Sequence, residues 1–182
     1  LEQINTQAKE LVGDEHQRFP SAAISVATLG EASVEIAGLA DCTVVVKTAA
    51  GEVLEIRAAL ADARVDLVAA RRTVDPIERR ELLVRDRELR NTEGNLWVAR
   101  REPEAAAHAH TVTIANPTRI SMASDGAWRA VELGLVSGAE EFLEQTSSTL
   151  LALELMTELR RHQAKIGEVS DDACVLTLAV TR

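Results

Sequence analysis

Hydrophobic and polar positions change their period several times along the chain, and each change predicts an element. Leu1, Ile4, Ala8, Leu11 and Val12 recur at a helical spacing, and Gly13-Asp14 ends that helix. Ser21 to Leu29 is a small-residue β run, and Gly30-Glu31 turns the chain back. From Ser33 to Leu39 the period drops to two, with Val34 and Ile36 set against Ser33 and Glu35, as a strand with one buried face requires. Asp41 interrupts the apolar pattern, and Cys42 to Val46 resumes it. Ala49-Ala50-Gly51-Glu52 reads as a hairpin turn and Val53 to Ile56 as the returning strand. Four strands at short spacing predict an antiparallel meander.

Ala58 to Arg90 is dense in Ala, Leu and Arg, with Asp75-Pro76 breaking it into two helical stretches. The charges of the second stretch (Glu78, Arg79, Arg80, Glu81, Arg85, Asp86, Arg87, Glu88) read as a solvated helix face laced with local ion pairs. A loop from Asn91 to Asn95 precedes a short strand at Leu96-Trp97-Val98, and Pro103 starts an Ala-rich helical turn. Thr111 to Ala115 is a strand, Asn116-Pro117 a turn signal, and Ile120 to Ala123 a short uncharged run that fits a buried strand. Helical patterns follow at Ala127 to Gly134, Gly138 to Gln145 and Ser148 to Lys165, the last with a core stripe of Leu151, Leu155 and Leu159. Gly167 stops that helix, and the final strand runs from Ala173 to Val180. This order predicts an α+β fold in which antiparallel sheets pack face to face beneath covering helices.

Composition narrows the function. Hydrophobic residues make up 46% and charged residues 27% of 182, enough for one domain with a real core. Aromatics are only 2%, with no Tyr, so base-stacking platforms are excluded and the core must be aliphatic. A net charge of −9 argues against binding nucleic acid, and no run is long enough to cross a bilayer. Cys42 and Cys174 lie in apolar runs, and two cysteines are too few for a disulfide framework. They predict a reducing, cytoplasmic setting and two small buried side chains.

Among chemistry-bearing residues, Ile120 to Trp128 stands out, because an apolar run ends abruptly in Asp125-Gly126. Asp125 is either a carboxylate held at a strand end over a site or a cap of the following helix. Asp171 sits at a similar strand boundary. If the final strand lies beside the Ile120 strand, the two acids converge, and hard oxygen ligands of this kind suit Mg²⁺ or Mn²⁺. His108 and His110 form an H-x-H pair that fits surface or packing histidines better than metal binding, since no third His or Cys is near in sequence. Arg90, Asn91, Gly94 and Trp97 read as a groove-shaping flap or as a loop with one anchoring aromatic. No nucleophile elbow and no Gly-rich phosphate loop occur.

The whole order resembles the metal-dependent protein phosphatase 2C family of bacterial type. Ser124-Asp125-Gly126-Ala127-Trp128 is similar to that family's strand-ending Ser-Asp-Gly and aromatic-containing helix. Asp171-Asp172-Ala173-Cys174 is similar to its closing Asp-Asn-x-Thr, with Asp for Asn and Cys for Thr, and Ala40-Asp41-Cys42 to its Gly-Asp-Ser. The resemblance implies a single, partial catalytic domain over 1–182, an α-β-β-α sandwich with a flap-like insertion at about 58–110. It implies metal ligation by Asp125 and Asp171 at a centre of two Mn²⁺ or Mg²⁺ ions, and by Asp41 at an additional, weaker one. A metal-bridged water would then attack the phosphoserine or phosphothreonine of a protein substrate, with no protein nucleophile. Nothing in Leu1 to Leu29 matches the family's N-terminal acid cluster and Asp-Gly-x-Gly-Gly part, so the fold is expected to be N-terminally incomplete and this chain alone weak or inactive. The alternatives are a pseudophosphatase that binds phosphoproteins without catalysis, and a structural domain whose acids are caps and turns.

Overall fold

All but one of the predicted strands form, but they are shared between two sheets rather than laid out as one meander. The computed structural model describes residues 2–12, 19–58 and 65–180. In chain order its elements are α1 (Glu2–Val12), β1 (Ile24–Leu29), β2 (Ser33–Leu39), β3 (Thr43–Thr48), β4 (Val53–Ile56), α2 (Val65–Arg72) and α3 (Pro76–Leu89). A 3₁₀ turn (Pro103–His108) leads to β5 (His110–Ala115), β6 (Pro117–Ala123), α4 (Asp125–Glu132), α5 (Ala139–Gln145), α6 (Thr149–Ile166) and β7 (Val175–Ala179). One antiparallel sheet has the order β1-β2-β5 and the other β4-β3-β6-β7. The chain therefore changes sheet three times, at two short corners (β2 to β3 and β5 to β6) and through the long connection from β4 to β5. At both corners a non-glycine residue takes a left-handed backbone, Ala40 (φ 75°) and Asn116 (φ 50°). A ladder cannot run straight through such a residue.

Contacts divide the chain into two compact units, Leu1–Ile24, Gly38–Asp41 and Ala58–His110 in the first and Ser25–Ala37, Cys42–Arg57 and Thr111–Arg182 in the second. The second unit holds the sandwich. Alternation in β2 turns Val34 and Ile36 inward, where they meet Val44 and Val46 of β3, Ile114 of β5 and Ile120 of β6 between the sheets. β3 is buried on both faces, which explains its unbroken valine run. On its outer face Val45 joins Ala123, Trp128, Phe142, Leu143, Leu155 and Leu159 beneath α4, α5 and α6. Trp128 and Phe142 meet edge to face with centroids 5.0 Å apart. Each such fully buried side chain contributes roughly 1.5–3 kcal/mol. Ser121, level with Val45 and Thr177 across the sheet, bonds Thr146 Oγ1 (3.0 Å) and Thr177 Oγ1 (3.2 Å), so this polar position on the helix-facing side is satisfied.

The first unit is built differently. Asp75 caps α3, its Oδ1 accepting from the Ile77 amide (2.8 Å), with Pro76 at the first helical position. The charges of α3 are not a uniformly solvated face. Asp86 is buried and takes Arg90 at 2.7 Å, Arg90 also donates to Ser21 Oγ (2.9 Å), and Arg87 donates to the Phe19 carbonyl (2.7 Å). Ile77 is meanwhile 70% exposed and Leu89 48%. Arg100 is buried and donates to the Arg87 carbonyl (3.0 Å). No strand forms at Leu96-Trp97-Val98; only an isolated bridge joins Ala22 to Ala99. Leu11, expected on the apolar face of α1, is 84% exposed, and the expected Gly13-Asp14 stop lies outside the described residues.

Candidate functional site

Backbone pairing decides where the two acid turns go. β7 pairs antiparallel with β6, placing Ala123 opposite Val175 and Ile120 opposite Leu178, so the condition for convergence is met. The ladder runs one step further. The Ser124 amide donates to the Cys174 carbonyl (3.0 Å), and the Cys174 amide returns the bond to Ser124 Oγ (3.0 Å) instead of to a carbonyl. Ser124 Oγ also lies 3.4 Å from the Asp172 carbonyl. Ser124 is thus the N-cap residue of α4, and Asp125 is its first helical residue, neither the last of the strand nor the cap. Asp125 Oδ1 accepts from the Gly126 amide (2.8 Å), at the positive end of the helix where a carboxylate is favoured.

Gly126 explains how the second acid turn comes so close. A Cβ placed there would lie 2.2 Å from the Asp172 carbonyl oxygen and 3.4 Å from the Asp171 carbonyl carbon. Only a residue without a side chain admits that approach. Asp171 Oδ1 accepts from the Asp172 amide (2.9 Å), and the Asp171 carbonyl receives the Arg160 guanidinium. Asp171 is exposed and Asp125 half-buried. The structure therefore brings Ser124-Asp125-Gly126 and Asp171 to Cys174 together in one junction.

An ionic network that sequence reasoning missed anchors the junction from behind. Arg129 makes a two-pronged contact with Glu168 (2.8 and 2.6 Å) and a third bond to Glu132 (2.8 Å). Gln163, buried on α6, donates to Glu168 (3.0 Å) and accepts from Arg160 (2.8 Å). Bonding to Glu168 outweighs desolvation and raises the Arg129 pKa above its ordinary value. α4, α6 and the segment before β7 are thereby tied together. The available signal was weak: an arginine one turn after Asp125, and a glutamate directly after the helix-stopping Gly167.

The other candidates fall elsewhere. Asp41 is buried in the turn between β2 and β3 and belongs to the first unit, whereas Asp125 and Asp171 belong to the second. His108 closes the 3₁₀ turn and stacks on Trp97 (3.5 Å, 6° between planes), while His110 opens β5, so the two are not both on a strand. Asn91 takes a left-handed backbone (φ 59°), accepts from the Val98 amide (2.7 Å) and donates to Glu102 (2.9 Å), which gives an anchored loop. Cys174 is exposed and Cys42 half-buried, contrary to the expected burial; each lies immediately before a strand rather than within one. Among the described residues no set of three or more His, Cys, Asp or Glu is arranged to hold a metal ion. Two carboxylates at the junction fall short of a dinuclear centre.

Solved structures match nearly the whole chain. The serine/threonine phosphatase Stp1 from Staphylococcus aureus matches 99% of it at 15% identity and a TM-score of 0.53. The catalytic domain of the serine/threonine protein phosphatase PstP, solved with two manganese ions, matches 98% at 16% identity and 0.51. The fold is that of these phosphatases. A bacterial serine phosphatase agrees, at 14% identity and 0.51 over 97% of the chain. The chain spans 63 to 66% of the length of these structures. No protein-family model and no curated protein matches it in sequence. The expected resemblance is thus borne out as a phosphatase fold, with two antiparallel sheets and flanking helices.

Proposed function

We propose that this chain is of the metal-dependent phosphoprotein phosphatase type, directed at phosphoserine or phosphothreonine on a protein. Asp125 and Asp171 are the acids it contributes to a divalent cation, Mn²⁺ or Mg²⁺, with Asp41 a further, weaker ligand. The residues 58–110 act as the flap-like insertion of a partial catalytic domain over 1–182. The observation that carries this reading is the junction, where Ser124 and Gly126 hold the two acid turns in contact beside a β6–β7 pair. A phosphatase fold over 97 to 99% of the chain supports it. Because among the described residues two acids do not complete a dinuclear centre, this reading expects turnover by the chain alone to be weak or absent.

Calorimetric titration with Mn²⁺, run beside p-nitrophenyl phosphate hydrolysis, tests both halves. Weak Mn²⁺ binding should disappear in Asp125→Asn and in Asp171→Asn, substitutions that keep an acceptor for the Gly126 and Asp172 amides. Unchanged binding in both variants would remove these residues from the ligand set. Robust Mn²⁺-dependent hydrolysis by the unaltered chain would refute the claim of weak turnover. The incomplete ligand set also favours a second reading, phosphoprotein binding without catalysis. That reading requires a phosphoserine peptide to bind equally well with and without Mn²⁺ and to remain intact.

A further inference from the structure

The second unit carries a groove of about 520 Å³ that the phosphatase reading does not use. Its floor is apolar, formed by Leu135 and Val136 from the segment before α5 and by Leu155 from α6. Leu153 lies along it and is 61% exposed, with Leu150 one turn earlier at 65%. An apolar strip therefore continues from a buried floor onto an open helix face, which is how a docking groove differs from scattered exposed leucines. The rim is acidic. Glu141 stands on the α5 side, and Glu154 and Glu158 stand one turn apart on α6.

Like charges at that helical spacing repel one another. Among the described residues the one cation lining the groove, Arg161, is already paired with Glu158 at 3.6 Å. Glu141 is held as a carboxylate, since its bond from the Ser137 amide (2.7 Å) lowers its pKa. Three carboxylates against one arginine over a leucine floor are complementary to a cationic amphipathic segment. A second copy of this chain carries the same acidic rim and a net charge of −9, so it is repelled, as is an anionic lipid surface.

We propose that the groove between α5 and α6 docks a basic, amphipathic segment of another protein, whose lysines or arginines face Glu154 and Glu158 while apolar side chains cover Leu153. Electrostatics sets the selectivity and the leucines supply the burial. The test uses a fluorescein-labelled peptide of about 14 residues with Leu and Lys at helical spacing, long enough for about four turns. The same peptide with Glu in place of Lys is the control. Anisotropy should report binding of the Lys peptide only, weakening several-fold from about 50 to 500 mM salt as the Debye length shrinks. Leu153→Ser, and separately Glu154→Gln with Glu158→Gln, should each weaken binding about tenfold, with circular dichroism and Tm close to the parent because these side chains are exposed. Equal binding of the Glu peptide overturns the proposal, as do variants that bind like the parent. A concentration-dependent dimer in sedimentation, lost in Leu153→Ser, overturns it by assigning the groove to a second copy.

Discussion

The two units solve the same problem, ordering a chain with few aromatics, by opposite means. In the second, Trp128, Phe142, Leu143 and Leu159 are sunk between helices and a sheet whose other face is closed by valines and isoleucines. In the first, the apolar clusters are small, Leu39 with Ala99 and Ala105, and Ala40 with Leu96 and Val98. Arginines do the joining there, with Arg87, Arg90 and Arg100 reaching backbone carbonyls or a serine far away in the chain. A dispersive core tolerates no missing volume, whereas a set of charge-assisted bonds depends on its charged groups staying ionised.

The largest effect should come from the apolar side. Phe142→Ala removes a fully buried ring that meets Trp128, and should cost about 3–5 kcal/mol in urea unfolding. A loss below about 1 kcal/mol would mean the core collapses to fill the hole. Gly126→Ala comes next. It places a methyl against the Asp172 carbonyl and should cost about 1–3 kcal/mol. Amide resonances of Asp171 to Cys174 should shift while those of β4 stay put; wild-type stability and spectra would disprove the close approach.

The smallest effect separates the first unit by pH. Burial pushes the Glu102 carboxyl up, but bonds from Asn91 (2.9 Å) and Arg101 (3.1 Å) outweigh it and leave its pKa below the ordinary value. A group depressed in the folded state stabilises above its unfolded pKa and loses that contribution as pH falls through the folded value. Glu102→Gln should therefore lower Tm near pH 7 and converge with the parent as pH falls below the ordinary carboxylate range and through the depressed folded value. A Tm difference that is constant across this range would show that Glu102 acts through shape alone.

The contrast also explains what was legible beforehand. β2 and β4 were readable to the residue, because period-two alternation and a hairpin turn are local signals. The change of sheet was not, since Ala40 carries no turn signal and Asn116-Pro117 marks a turn without saying which sheet the next strand joins. The positions of Asp125 and Asp171 were visible as acids at turns, and their two segments meet once β7 lies against β6. The Arg129–Glu168 anchor went unseen because its partners are 39 residues apart and belong to no spacing rule. The charges of α3 misled for a related reason. An arginine that caps a distant carbonyl is spelled like one that faces water.

The pairing of β6 has a consequence for how the chain is made. β6 lies between β3 and β7, and Ser121 meets Thr177, 56 residues later. On a ribosome adding 5–20 residues per second, that strand edge stands open for about 3–11 seconds before its partner emerges. Throughout that interval β6 offers a row of unpaired amides and carbonyls flanked by Ile120 and Met122, the kind of edge that recruits other nascent chains. Yield during synthesis is therefore expected to depend on how quickly β7 arrives, as well as on how tightly it is finally held.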